Sequence, residues 1–248
     1  MSLNLKFILI AVVAIVVCNG GETRSADGNP AAFRINTDIY DDVSKPPIKR
    51  SLTLFSEGVY YDLDDLDSSQ VTVIDPVRSR IVLIDRSRKI QTRLSMPELE
   101  TKVSAALLQM DPKLSKFLTT SNLTSTSEDV VVVGNENLKY ECRVMSVPDP
   151  SISEQYATFA DWSARINAII PPSRPPFLRL QLNQVVRERT AIPEELDRMT
   201  NYKGKETKLT CRILPNWKLS TDDMKTIERI GGMLVQFEQT DIDTFLKK

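Results

Sequence analysis

The chain has 248 residues, enough for one large domain or two small ones, and its 41% apolar content is that of a protein with a buried core. A formal net charge of -1 leaves no electrostatic footprint for nucleic acid or an anionic membrane surface. Histidine is absent, which excludes histidine-activated nucleophiles, histidine general bases and most transition-metal sites.

The N-terminus reads as an address. Lys6 precedes an uncharged apolar run from Phe7 to Cys18, 12 residues long. That is the length of a secretory signal core and short for a membrane span. A cut after Ala26 is expected; cuts near Gly20 or Gly21, lipidation at Cys18 and retention as an anchor are the alternatives. The expected product is exported, periplasmic or secreted, with no membrane span once residues 1–26 are removed. Residues 27–50 are polar and contain proline, ending in SKPPIKR, and are expected as an irregular lead-in with a short strand at 32–36.

A β-rich block follows. SLTLF (51–55), GVYYDL (58–63), VTVI (71–74), IVLI (81–84) and IQTRL (90–94) are β-branched or aromatic runs. The phrases VTVID and IVLID each end in an aspartate that opens a turn, Asp75-Pro76-Val77-Arg78 and Asp85-Arg86-Ser87-Arg88. One strand plus one turn separates them, so they belong to an antiparallel meander. Their turns then lie at opposite ends of the sheet, about 17–20 Å apart. Paired glycosidase carboxylates stand about 5–9.5 Å apart, so Asp75 and Asp85 are not expected as a catalytic pair. Neither IVLI nor VVVV (130–133) alternates with polar residues, so both faces of these strands are expected to be covered.

Helices are expected from Pro97 after Ser95, and from Pro112 after Asp111 through Leu118. SNLTSTSED (121–129) reads as a polar loop, and a hairpin turns around Gly134-Asn135 into the strand 137–146. Ile152, Tyr156, Phe159 and Ile166 form one helical stripe, with Asp161 and Arg165 a turn apart and placed to pair. PPSRPPF (171–177) breaks that helix and serves as a stiff connector to FLRLQLNQVVRER. Two strands near 196–202 and 206–214 precede a helix capped by Ser220 with Asp223 in the capping-box place. Gly231 and Gly232 inside it predict a kink or a close backbone contact. Segregated strands and helices of this order predict an α+β fold with an antiparallel sheet, one domain over residues 51–248.

Motifs for chemistry are scarce. The acidic run DLDDLDSS (62–69) fits a calcium loop in neither register and reads as a solvated turn. No phosphate-binding glycine spacing, S-x-x-K or C-x-x-C occurs. Cys142 and Cys211 both fall on the apolar side of their strands. They are expected as buried free thiols or, if their strands are neighbours, as a disulfide pair. No catalytic, metal-binding or cofactor-binding residue is assigned, no cofactor is called for, and an enzyme is not expected.

GVYYDL, VTVID and IVLIDRSRKIQT, set among an export signal, helices and further strand pairs, resemble uncharacterised exported bacterial proteins. Their plan is similar to the half-barrel of periplasmic lipoprotein carriers (LolA-like). The resemblance covers residues 50–240 in the order of elements and implies a curved antiparallel sheet wrapped over helices, with a concave face that takes acyl chains. It carries over no individual residue, and this chain has helix and strand material beyond that plan at its C-terminus. The function so implied is a non-enzymatic binding or carrier module for an apolar ligand or lipoprotein. The alternative is a structural or accessory protein-interaction module with a filled core and no ligand. Nucleic acid is not expected as a partner.

Overall fold

The computed structural model describes residues 30–64, 69–121, 123–171, 173–202 and 204–247. The signal segment, Cys18 and the centre of the acidic run lie outside them. Five strands run consecutively as an antiparallel meander: β2 (Lys49–Ser56), β3 (Val59–Asp64), β4 (Gln70–Asp75), β5 (Arg80–Asp85) and β6 (Ile90–Ser95). A second consecutive run comprises β7 (Leu123–Thr126), β8 (Val130–Gly134), β9 (Leu138–Ser146), β10 (Ala191–Tyr202) and β11 (Lys205–Asn216). The first strand, β1 (Phe33–Tyr40), pairs with β2 on one side and β11 on the other, welding the two runs into one sheet. A two-residue parallel strand, β12 (Glu238–Gln239), adds to β6 at one edge, and β7 forms the other. The sheet is therefore antiparallel apart from that edge, curved and unclosed, as expected of an α+β half-barrel.

The described residues also include six helices: α1 (Met96–Leu108), α2 (Pro112–Thr119), α3 (Pro150–Ile169), α4 (Phe177–Glu188), α5 (Thr221–Gln236) and α6 (Ile242–Leu246). Local chemistry sets their starts. Ser95 Oγ accepts from the Glu98 N–H at 3.4 Å, and Asp111 Oδ1 accepts from Lys113 and Leu114 at 2.9 and 3.2 Å. The capping box of α5 closes both ways, Ser220 Oγ with the Asp223 N–H and Asp223 Oδ2 with the Ser220 N–H. Asp223 also receives Arg34 of β1 at 3.1 Å, which ties the start of α5 to the sheet. Among the described residues no helix is long and apolar enough to cross a membrane.

The helices lie on both faces of the sheet. On the concave side α1, α3, α4 and α6 join one large core with inward residues of β1 to β5 and β8 to β11, among them Phe33, Phe55, Ile81, Leu83, Val131 and Leu196. On the convex side α5 covers β3 to β6, where Val71, Val73, Val82 and Ile84 pack with Ile230. This is why IVLI does not alternate: Ile81, Val82, Leu83 and Ile84 are 0%, 1%, 4% and 0% exposed. Gln91, buried on that convex side, donates its Nε2 to the carbonyls of Leu234 and Phe237 and holds the end of α5 down.

Several elements depart from expectation. The supposed lead-in contains an eight-residue strand at the centre of the sheet, because Phe33 and Ile35 point into the core while Asn36 and Asp38 point away from it. The polar loop 121–129 contains β7, which has its pairing with β8 to satisfy its backbone. In VVVV only Val131 and Val133, which join the concave core, are buried; Val130 and Val132 on the opposite face are half-buried. The Asp161 carboxylate and the Arg165 guanidinium do not form an ion pair; Arg165 Nη1 donates instead to the Asp161 backbone carbonyl at 3.2 Å and reaches Glu100 of α1 at 3.5 Å. The Asp161 carboxylate receives Arg187 Nη2 at 3.2 Å and Asn183 Nδ2 at 2.8 Å from α4. Tertiary partners thus take the carboxylate away from the local pair. The hairpin glycine behaves as expected: Gly134 has φ 147°, and a Cβ there would lie 2.3 Å from the Leu138 carbonyl oxygen.

Gly231 and Gly232 are a further correction. Helix α5 runs through both, and a Cβ at either would meet nothing within 4 Å. Alanine at each position is therefore expected to stabilise the protein by about 0.4–1 kcal/mol, through a less flexible unfolded chain. Chemical denaturation of the single variants checks this, and a loss at either site would reveal a close contact.

Candidate functional site

Asp75 and Asp85 are not brought together. In the β4–β5 register Asp75 lies opposite Arg80 and Asp85 lies opposite Gln70, at the two ends of the pair. Each carboxylate serves its own turn. Asp75 takes the Arg78 N–H and the guanidiniums of Arg78 and Arg80, all at 3.1 Å. Asp85 takes Ser87 and Arg88, and Arg88 in turn donates to the Lys247 carbonyl at 2.7 Å and to that of Phe245 while stacking over the Phe245 ring. Burial opposes the Asp85 charge, but these hydrogen bonds prevail and hold its pKa at about 2. Both aspartates are structural anchors, the second for the C-terminal helix.

Cys142 and Cys211 face the same concave side but on strands that are not neighbours. Leu196 of β10 lies between them, in register with both. Two strand spacings, about 9.6 Å, exceed the reach of a disulfide, so the adjacency it needs is not met and both thiols are free. Burial pushes the Cys142 thiol up to about 12 and raises that of Cys211, so the nucleophilic thiolate is scarce at neutral pH. Among the described residues no three His, Cys, Asp or Glu side chains converge as a metal site.

What the fold does create is a cavity of about 280 Å³ between the concave face and its helices. Its floor comes from β1 to β3 (Ile39, Thr53, Asp62) and from β9 to β11 (Tyr140, Leu196, Ile213). Its roof is α3, through Tyr156, Phe159 and Ser163, and the connector Arg174-Pro175-Pro176. The proline-rich segment thus follows the end of α3, as expected of a helix break, and forms part of the cavity wall. Helix α3 is held over the sheet by buried polar contacts: Ser153 Oγ donates to the Ala191 carbonyl at 2.9 Å and Gln155 Nε2 to that of Ala31 at 3.0 Å. Aromatic packing does the rest, with Phe159 edge-on to Phe55 at 5.5 Å.

The cavity's polar groups are uneven in charge. Lys49, Arg174, Arg179 and Arg198 line it, against the single carboxylate Asp62. Asp62 faces inward because it shares strand parity with Tyr60, and it accepts from Thr53 Oγ1 at 2.7 Å. Desolvation raises its pKa in spite of that hydrogen bond and the pull of Lys49. Burial likewise pushes the Tyr156 phenol up to about 12. Of these side chains the sequence raised Asp62 alone as a candidate, within the acidic run that fits no calcium loop, although the parity of Asp62 with Tyr60 and of Arg198 with Leu196 marks a charge on an apolar face.

The raised pKa of Asp62 carries a testable sign. The folded state holds the proton more tightly than the unfolded chain, so ionised Asp62 costs stability as pH rises through its folded pKa. Asp62→Asn should raise the melting temperature at pH 7 by about 2–4 °C, or about 1 kcal/mol. The gain should fade as pH falls below the ordinary carboxylate range, towards pH 3, where a group with a raised pKa takes its proton. Thermal melts at the two pH values decide it; a gain equal at both would place its origin elsewhere.

A larger groove, about 760 Å³, runs between β6, the start of α1 and residues 239–242. Its charges balance, Arg93 and Lys102 against Glu98 and Asp241. It lacks the enclosing aromatic roof of the smaller cavity, which is the better candidate for a bound molecule. No protein-family model matches the chain, and no curated protein matches it.

Proposed function

We propose that the chain is a binding or carrier module that holds one apolar, acyl-type ligand, free or attached to a lipoprotein, beneath α3. The observation that supports this most is the cavity on the concave face, walled by Ile39, Tyr156, Phe159, Leu196 and Ile213 in an otherwise close-packed core. At about 280 Å³ it is near the lower end of ligand pockets, about 300–1,000 Å³, and suits a single short chain. The signal-like N-terminus agrees with a role outside the cytoplasm.

The test is native mass spectrometry of protein purified from its host, followed by titration of the delipidated protein with a dansyl-labelled fatty acid. Ser163 lines the cavity and is half-buried, so Ser163→Trp should fill it. The wild type is expected to carry an adduct and bind the probe, and the folded Ser163→Trp variant to lose both. A wild type with neither adduct nor probe binding would leave the ligand-free accessory module as the function.

A further inference from the structure

The reading above leaves the cavity's charge unexplained. Arg198 stands on β10 between Leu209 of β11 and Tyr140 of β9, one inward step from Leu196. Its Nε is buried and has no hydrogen-bond partner. Arg174 forms no side-chain ion pair among the described residues and is exposed at the cavity's connector wall. Arg179 is engaged by a neutral group, its Nε donating to Asn183 Oδ1 at 2.9 Å, and forms no ion pair among the described residues. Lys49, by contrast, has Asp64 at 3.1 Å. Three guanidiniums thus surround a partly apolar space without a carboxylate paired to any of them. A guanidinium with a buried, orphaned donor is costly unless an anion completes it, and its planar fork suits carboxylate and phosphate oxygens.

Resting on the binding role proposed above, we infer that the ligand is an anionic amphiphile. Its carboxylate or phosphate-monoester head is clamped by Arg174, Arg179 and Arg198, and its tail lies along Leu196, Ile213 and Phe159. A free inorganic anion would satisfy the guanidiniums but leave the apolar walls empty. A neutral acyl compound would fill the walls and leave Arg198 Nε orphaned. Only a molecule with both parts meets both demands.

Isothermal titration of the delipidated protein with decanoate, decanol and inorganic phosphate separates these cases. Decanoate is expected to bind at least about tenfold more tightly than decanol or phosphate. Arg198→Gln and Arg174→Gln should each bring decanoate close to the decanol value and leave decanol unchanged. Arg174 is exposed, so its variant keeps the test alive if Arg198→Gln fails to fold. Equal binding of decanoate and decanol would overturn the anionic head while preserving the acyl-binding role. Phosphate binding as tightly as decanoate would overturn the tail. Binding of none of the three, with no adduct on the native protein, would overturn the binding role as well.

Discussion

Aspartate introduced at Val82 or at Leu83, one at a time, should unfold the protein or lower its melting temperature by about 10–20 °C. The two side chains point to opposite faces of β5, and both faces are dry. Leu83 belongs to the concave core beneath the helical layer, and Val82 packs on the convex side in the cluster that holds Ile230 of α5. Each substitution forfeits about 1.5–3 kcal/mol of side-chain burial. Each also places a carboxylate in a dry layer, opposite Thr72 and Thr92 at Leu83 and with the exposed Arg93 across the β5–β6 pair at Val82, which adds a penalty of about 1–3 kcal/mol or forces the group to take a proton. At about 2–4 °C per kcal/mol for a protein of this size, the sum of about 2.5–6 kcal/mol spans about 5–24 °C, with that range at its middle. Val132→Asp is the control, because its face of β8 is half-exposed and should tolerate the charge far better. If Val82→Asp proved as mild as Val132→Asp, helix α5 would not be seated on the sheet in solution.

Phe55→Ala should cost about 3–5 kcal/mol and weaken the ligand binding proposed above at the same time. Phe55 is fully buried and stacks on Phe33 with ring centroids 4.1 Å apart. It also meets Tyr60 at 5.1 Å and the edge of Phe159 at 5.5 Å. Three layers converge on this ring: β1, β3 and the helix that roofs the cavity. Its removal leaves a void under α3 that the surrounding aromatics fill only in part. Urea unfolding should show a lowered midpoint with an unchanged slope. Phe55→Leu should recover much of the stability but less of the affinity, since a branched aliphatic lacks the flat face that positions Phe159. A loss below about 1 kcal/mol for Phe55→Ala would show that α3 is held by Ser153 and Gln155 alone.

Much of this architecture is legible in the chain because it depends on near neighbours. The turns after Asp75 and Asp85, the caps at Ser95, Asp111 and Ser220, and the break at PPSRPP are each decided within a few residues. The unalternating IVLI also speaks for itself, since four consecutive aliphatics in a strand need cover on both faces. From these, the α+β class and the antiparallel meander follow without any knowledge of packing.

Other features were decided only when distant segments met. Whether Cys142 and Cys211 are bridged depends on which strand lies between their own, and β10 takes that place after the two intervening helices α3 and α4. Asp161 leaves its local partner for Arg187 and Asn183 because α4 packs beside α3. The cavity is the clearest case. Asp62, Arg174, Arg179 and Arg198 sit on four separate segments and share no motif, so no spacing announces them. Strand parity alone places a charge on the inner face at Asp62 and Arg198, but it does not say that the sheet curves or that α3 stops short of filling the curve. Hydrophobic pattern and turn chemistry are local and leave their mark in sequence order; the enclosed space belongs to the curvature of the whole sheet.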